Sequence, residues 1–132
     1  LFRSAQKDST LTNGIMGGLS YHDGQWQGFT SPIDVVVDME RREEIHLVAM
    51  NFMQLIGPGV YMPGEMEVLL SDNGRTFRSV GTIKNDISDK ESKLTFKRFE
   101  LKLDKAQQAR YIKIKASNPK KGFLFTDEII VY

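Results

Sequence analysis

The chain of 132 residues contains no cysteine and no long hydrophobic run. The absence of cysteine excludes disulfide bridges, thiolate metal ligands and a cysteine nucleophile. Because no apolar stretch approaches the roughly 20 residues that cross a bilayer, the sequence predicts no transmembrane helix. The first residues lack the basic and apolar regions of a signal peptide, and residue 1 is not methionine. We therefore expect a piece of a longer protein whose targeting signal lies outside this sequence.

An excess of charge of either sign is also lacking. The 18 basic and 17 acidic side chains leave a formal net charge of +1. Such a balance provides little electrostatic attraction for nucleic acid, so we expect no nucleic-acid partner. Lysines do cluster locally at Lys113, Lys115, Lys120 and Lys121. The cluster is typical of a solvated strand face and loop.

Signatures of catalysis are missing as well. The two histidines are His22 and His46, and His46 lies in an apolar stretch where a structural role is the default. The sequence has no Gly-x-Ser-x-Gly turn, no phosphate-binding glycine loop and no His-Glu-x-x-His motif. Carboxylates are numerous, but no pair stands in a context that indicates a glycosidase site. We expect no catalytic residue in this domain.

The apolar residues that are present follow the period of β-strands. Strands are indicated at residues 33–39, 45–52, 66–70, 77–83, 96–103, 111–116 and 123–131, and a single helical turn at residues 104–109. Asn73-Gly74 marks a turn, and residues 85–95 are polar enough for a surface loop. The pattern predicts one all-β domain over residues 11–132, an antiparallel sandwich or jelly roll of about eight strands. Residues 1–10 form a lead-in segment.

Four stretches carry a resemblance to a known family: residues 11–14, 21–29, 71–77 and 123–132. As a set they resemble discoidin, or F5/8 type C, domains. They are most similar to the accessory domains (carbohydrate-binding module family 32) of bacterial chitobiase-like and β-hexosaminidase-like glycoside hydrolases. The resemblance covers nearly the whole chain from Leu11 onward.

The resemblance implies a noncatalytic module of an exported protein, which would be periplasmic, on the cell surface or secreted. Its partners would be a glycan of the galactose or N-acetylhexosamine type and the catalytic domain of the parent chain. We expect a monomer. Two alternatives remain open: a structural module that packs on its parent enzyme without binding sugar, and a module that adheres to proteins or membrane surfaces.

The resemblance also implies a calcium site between the loop near the start of the chain and the last strand. Asn13 stands where the family usually has aspartate, and Glu128 stands at the family's acidic position. Leu11 and Met16 would add backbone carbonyls, since calcium takes about six to eight oxygen ligands. In the alternative interpretation, Asn13 belongs only to a turn and Glu128 is a carboxylate at the rim.

The candidate sugar contacts lie in segments that resemble loops. Tyr21 and His22 would supply a stacking ring and an imidazole for hydroxyl groups. Trp26 would either stack on a pyranose or pack beneath the binding loops. Tyr61 lies in the run Gly-Pro-Gly-Val-Tyr-Met-Pro-Gly, which would present an aromatic ring on a rigid scaffold.

Two further candidates have a structural alternative. Gln54 would donate its amide to a sugar hydroxyl or make a buried structural hydrogen bond. Phe123, after the Lys-Lys-Gly loop, would lie at the rim of the site or pack in the core.

Overall fold

The computed structural model describes residues 2–3 and 27–132 of the chain, which form seven strands and contain no helix. Accordingly, these residues include no helix that could span a membrane. The strands are β1 (Phe2–Arg3), β2 (Gln27–Phe29), β3 (Ile33–Gln54), β4 (Glu65–Ser71), β5 (Arg78–Lys84), β6 (Thr95–Ala116) and β7 (Leu124–Val131).

The two longest strands, β3 and β6, form the frame of the domain. Each has 22 residues, and they pair antiparallel from Ile33 opposite Ala116 to Gln54 opposite Thr95. The register shifts between Asp38 and Glu43, and Glu40 adopts a positive φ of 70° there. Such irregularities bend a strand and increase its twist. The paired strands therefore pass from one layer of the sandwich into the other at this point, which we call the corner (residues 39–44 and 104–110).

The corner explains two differences from the sequence prediction. The segments 33–39 and 45–52, which were expected as separate strands, belong to one continuous strand. The helical turn expected at residues 104–109 is wrong, because these residues lie within β6. There, Gln107 pairs with Ile45 and Ala109 pairs with Glu43. Cross-strand pairing thus outweighs the modest helical propensity of this short polar segment.

The remaining strands extend the two layers. The sheet order is β2-β7-β3-β6-β4-β5. β4 pairs with the C-terminal half of β6, and β5 lies beyond it. β7 pairs with the C-terminal half of β3, and β2 lies beyond it. These pairings are antiparallel, whereas β1 pairs with β3 in parallel. The prediction of an all-β antiparallel sandwich is confirmed. The described residues contain seven strands, where about eight were expected.

The core lies between the layers and is built from alternate residues of the strands. Inward-facing side chains of both layers join one buried cluster, which includes Val37, Val68, Leu70, Ile112, Val48, Met50, Phe52, Phe99 and Ile129. The rings of Phe52 and Phe99 meet edge to face, with centroids 5.3 Å apart. Every residue from 47 to 54 is buried, as predicted for a central strand with both faces covered.

An ion pair holds the two long strands together beside the corner. Arg110 donates from Nε and Nη2 to the two carboxylate oxygens of Asp38, at 2.8 and 3.0 Å. Asp38 also accepts the backbone N–H of Glu40 at 2.7 Å, which supports the residue with positive φ. The hydrogen bond to Asp38 raises the pKa of Arg110 above its ordinary value. The bidentate geometry fixes both strands at the point where their register changes.

Two phenylalanines of β6 provide a test of where the core lies. Phe99 is fully buried, whereas Phe96 on the opposite face is 44% exposed. We expect Phe99→Ala to lower the free energy of unfolding by about 3–5 kcal/mol, because it leaves a cavity between the layers. Phe96→Ala, the matched control, should cost less than about 1 kcal/mol. Urea unfolding measures both values, and equal losses would contradict this assignment of the core.

Candidate functional site

Three loops meet at the end of the sandwich opposite the corner. They comprise residues 55–64, 85–94 and 117–123, and we call this region the loop end. Backbone hydrogen bonds join them: Asn85 donates to Gly64 O at 3.0 Å, Tyr61 to Phe123 O at 2.9 Å, and Phe123 to Gly59 O at 2.8 Å. Because β3 and β6 fold back at the corner, both ends of each strand lie at the loop end. The loops that follow these strands are therefore neighbours.

Gln54 connects two of the loops from below. Its Nε2 donates to the carbonyl oxygens of Ser88 at 2.8 Å and Glu91 at 3.2 Å, and its Oε1 accepts the N–H of Met62 at 3.4 Å. The residue is 1% exposed. Its amide is thus used for structure, so the buried structural hydrogen bond is the one of its two predicted roles that is observed. Gln54 forms part of the floor of the site.

Above Gln54 lies an open cleft of about 220 Å³. Its lining includes Tyr61, Pro63, Asn85, Asp89 and Lys120, which come from all three loops. Tyr61 is half-buried in this lining. The structure therefore places Tyr61 where a bound molecule would meet its ring.

Phe123 lies beside Tyr61 in the loop end and is not among the residues that line the cleft. It is 42% exposed, and its ring meets that of Phe125 edge to face at 6.1 Å between centroids. Packing in the core, one of its two predicted alternatives, is therefore not observed. The backbone hydrogen bond between Tyr61 and Phe123 keeps the two aromatic residues next to each other. Of the two residues, Tyr61 is the one that lines the cleft.

Close backbone contact at Gly122 holds the two aromatic residues in place. A Cβ atom on Gly122 would lie 2.4 Å from the carbonyl oxygen of Gly59 and 3.2 Å from the Tyr61 ring. Gly59 has a φ of +88°, which glycine adopts without strain. The side chain of Asn118 completes the turn by donating to Gly122 O at 3.0 Å. Sequence reasoning noted these glycines but had no signal for the contact between them.

An ion pair between Lys120 and Asp89 closes one side of the cleft. The hydrogen bond and the charge of Lys120 hold the pKa of the Asp89 carboxyl below its usual range, and Lys90 contributes in the same direction. The pKa of Lys120 is raised in turn, mainly by Asp89 and to a smaller extent by Tyr61. Both side chains are about half exposed, so the pair adds little to stability. It does place a cation and a carboxylate beside the Tyr61 ring, and neither was among the residues predicted from the sequence.

Several sequence-predicted residues lie outside the described part of the chain: Leu11, Asn13, Met16, Tyr21, His22 and Trp26. Glu128 lies in β7, and its side chain is likewise not described. The structure thus brings together Gln54, Tyr61 and Phe123 from the predicted set.

One observation bears on a cation near Glu128. Thr126, two residues earlier in β7, is 3% exposed, and its Oγ1 has no hydrogen-bond partner among the described residues. A buried hydroxyl without a partner is costly, and a hard cation would satisfy it as an oxygen ligand. This hydroxyl has the donor chemistry that calcium takes. Among the described side chains, no group of three or more carboxylate or histidine residues could form a metal site on its own.

No protein-family model matches the chain, and neither does any curated protein sequence. Solved structures do match. CBM32-1 of a family 31 glycoside hydrolase from Clostridium perfringens aligns at 23% identity with a TM-score of 0.54, covering 75% of this chain and 68% of that one. This chain has the discoidin-like CBM32 fold. The resemblance drawn from the sequence motifs is confirmed at the level of the fold.

Two further CBM32-type structures align equally well. The C-terminal domain of a chitobiase from Bacteroides fragilis has 18% identity and a TM-score of 0.54, covering 76% of this chain and 62% of that one. The family 32 module of NanJ from C. perfringens, solved with galactose, has 19% identity and a TM-score of 0.54, covering 76% and 66%. The chain thus spans about two thirds of the length of these CBM32 structures.

The glycines of the loop end allow a test of its packing. Gly122→Ala should lower the free energy of unfolding by about 1–3 kcal/mol and speed hydrogen exchange at the Phe123 amide, because the added methyl group clashes with Gly59 O. Gly57→Ala is the matched control, since a Cβ there has no neighbour within 4 Å. Urea unfolding measures the stability of both variants, and hydrogen exchange measures the opening rate at the Phe123 amide. Tolerance of both substitutions would mean that the loops are not packed as described.

Proposed function

We propose that this domain is a noncatalytic carbohydrate-binding module, the accessory part of an exported chitobiase-like bacterial glycoside hydrolase. The observation that carries the proposal is the cleft at the loop end, with the Tyr61 ring in its lining. The fold supports it, because the NanJ module was solved with galactose and another C. perfringens module was solved with GalNAc-β-1,3-galactose. The same precedents favour galactose or an N-acetylhexosamine as the sugar.

The chemistry of the cleft suits a sugar ring. Aromatic rings pack against the apolar CH faces of a pyranose, and Tyr61 and Phe123 offer such surfaces. The carboxylate of Asp89 accepts hydrogen bonds from hydroxyl groups, and the ammonium of Lys120 donates them. Tyr21, His22 and Trp26 remain further candidate contacts. At about 220 Å³ the cleft is smaller than typical small-molecule pockets, so it would bind one sugar ring with modest affinity.

A second candidate function is docking on the parent enzyme without sugar. It is favoured by two exposed apolar side chains, Leu94 in the loop end at 41% exposure and Phe96 at 44% exposure. A contiguous exposed apolar patch is a feature that a neighbouring domain can cover. This function predicts that Leu94→Ser weakens association with the catalytic domain and leaves sugar binding unchanged.

Calcium is part of the proposal as a structural ion. Glu128 would supply a carboxylate, Leu11, Asn13 and Met16 would supply oxygens from the loop near the chain start, and the Thr126 hydroxyl is a further ligand candidate. The ion would join this loop to β7. Its contribution would be to stability, with no step in any reaction.

Sugar binding can be tested by an NMR titration of the domain with galactose and N-acetylgalactosamine at millimolar concentration, where binding free energies are near 4 kcal/mol. We expect shifted amides around Tyr61 and Phe123, and their loss in Tyr61→Ala. Tyr132→Ala is the control, because this exposed tyrosine follows the far end of β7. If no glycan in a broad panel shifts any amide, the structural-module function is preferred.

The calcium proposal predicts a melting temperature that rises with calcium and falls with chelator, because an ion that binds only the folded state stabilises it by mass action. Glu128→Ala should abolish the difference, and Thr126→Val should reduce it. Glu44→Ala, at an exposed position near the corner, should leave it unchanged. Scanning calorimetry measures all four proteins. A melting temperature that changes with neither calcium nor chelator would rule out the ion.

A further inference from the structure

The turn between β4 and β5 contains the dipeptide Asn73-Gly74. An asparagine before glycine is prone to lose its side-chain amide, because glycine has no side chain to hinder attack by its own backbone nitrogen. In this reaction the glycine nitrogen loses its proton and bonds to Cγ of the asparagine, and ammonia leaves. Water then opens the cyclic imide to aspartate or isoaspartate. The fate of Asn73 therefore depends on how the turn holds these two atoms.

The attacking atom, the backbone nitrogen of Gly74, is shielded by Ser71. Its N–H donates to Ser71 Oγ at 2.9 Å, and this oxygen also accepts the N–H of Asn73 at 3.2 Å. The Ser71 hydroxyl in turn donates to Asn73 Oδ1 at 3.1 Å, so its one proton and both lone pairs are used. Ser71 is fully buried. The proton that Gly74 must lose before it attacks is therefore available neither to this hydroxyl nor to a base in solvent.

The attacked group, the side-chain amide of Asn73, is also held in place. Besides the Ser71 hydroxyl, its Oδ1 accepts the backbone N–H groups of Arg75 at 2.8 Å and Thr76 at 2.9 Å. Attack turns the planar Cγ into a tetrahedral centre and moves its oxygen. Because three donors fix this oxygen, the movement strains or breaks their hydrogen bonds. The turn thus opposes the reaction at both atoms that must meet.

The sheet and Tyr111 keep the turn in this conformation. Ser71 is the last residue of β4 and pairs with Tyr111 of β6. Gly74 has a φ of +76°, and a Cβ atom there would lie 3.2 Å from the Tyr111 ring, so the ring packs against the turn. Asn73 itself is exposed to water. The water that completes the reaction is thus at hand, and the step that the closed turn prevents is the first one.

We propose that Asn73 is a site of spontaneous deamidation that the closed turn protects, so that its conversion records opening of the turn between β4 and β5. The reaction consumes one water and releases one ammonia, and it requires no enzyme or redox partner. Aspartate at this position would add a negative charge beside Asp72, whose carboxylate pairs with Arg42 at 3.2 Å. Isoaspartate carries the main chain through Cγ, which displaces the acceptor of the Arg75 and Thr76 N–H groups. A turn modified to isoaspartate therefore cannot close as before.

The test compares the folded protein with the protein in concentrated urea, at the same slightly alkaline pH. Peptide mass spectrometry measures the conversion of Asn73 with time. We expect conversion to be at least about tenfold slower in the folded state, because the reaction requires an opened turn. Equal rates in the two states overturn the inference. A faster rate in the folded protein also overturns it, since the donors to Oδ1 would then act as an oxyanion hole.

Hydrogen exchange provides a second measurement on the unsubstituted protein. Exchange at the Gly74 amide and conversion of Asn73 both require the Gly74 N–H to leave Ser71, so the folded state should slow the two together. A Gly74 amide that exchanges freely while Asn73 is protected would show that Ser71 does not shield the nitrogen, which contradicts the inference.

A matched pair of serine variants locates the protection. Ser71→Ala removes the acceptor of the Gly74 N–H and should speed conversion of Asn73 in the folded protein roughly fivefold, the factor that one hydrogen bond contributes to an equilibrium. Ser79→Ala, at an exposed position of β5, should leave the rate unchanged. In urea both variants should match the unsubstituted protein. An unchanged rate in folded Ser71→Ala, or an equal increase in both variants, would show that Ser71 gives no protection and would overturn the inference.

Discussion

The antiparallel pairing of β3 and β6 is the interaction on which the rest of the structure depends. Each strand contributes to both layers, so the backbone hydrogen bonds between them join the two halves of the sandwich. The other strands add to this pair: β4 and β5 on one side, β7 and β2 on the other. The core then forms between the layers because the inward-facing residues of both halves are apolar.

The position of the candidate site follows from the bend in these two strands. Because each strand starts and ends at the loop end, the loops after β3, before β6 and after β6 lie side by side. Gln54, the last residue of β3, donates to one loop and accepts a hydrogen bond from another. A buried glutamine whose amide bonds to both loops therefore positions the cleft above it. Substitutions at Gln54 would displace the loops that line the cleft.

The sequence was sufficient for the fold class and for much of the strand pattern, because alternation at Val35, Val37, Met66, Val68, Ile112 and Ile114 reports directly which face is buried. It could not show the corner. The Arg110–Asp38 ion pair beside the corner joins residues that are 72 positions apart in sequence. No local pattern indicates the positive φ of Glu40. For the same reason residues 104–109 were assigned to a helical turn, since nothing local reveals that Ala109 faces Glu43.

For the site, loop composition singled out Tyr61, which lines the cleft, whereas Asp89 was not named and Lys120 was assigned to a solvated face. The pairing of Asp89 and Lys120 arises from the approach of two loops that are about 30 residues apart in sequence, and each residue alone resembles an ordinary surface charge. The place of Lys120 in the cleft becomes visible only when the loops are seen together.

The backbone hydrogen bonds among Gly59, Tyr61 and Phe123 have a consequence for how this domain can change over time. Loop positions are maintained by main-chain atoms, by two glycines and by the buried amide of Gln54, so the exposed side chains at positions 90, 121 and 123 are not among the groups that hold the loops. Mutation can therefore exchange rings and charges at these positions while the frame persists. Descendants of one ancestral domain could diverge in the surface that they present at the loop end without passing through unfolded intermediates, and a laboratory library restricted to these three positions would sample the same variety.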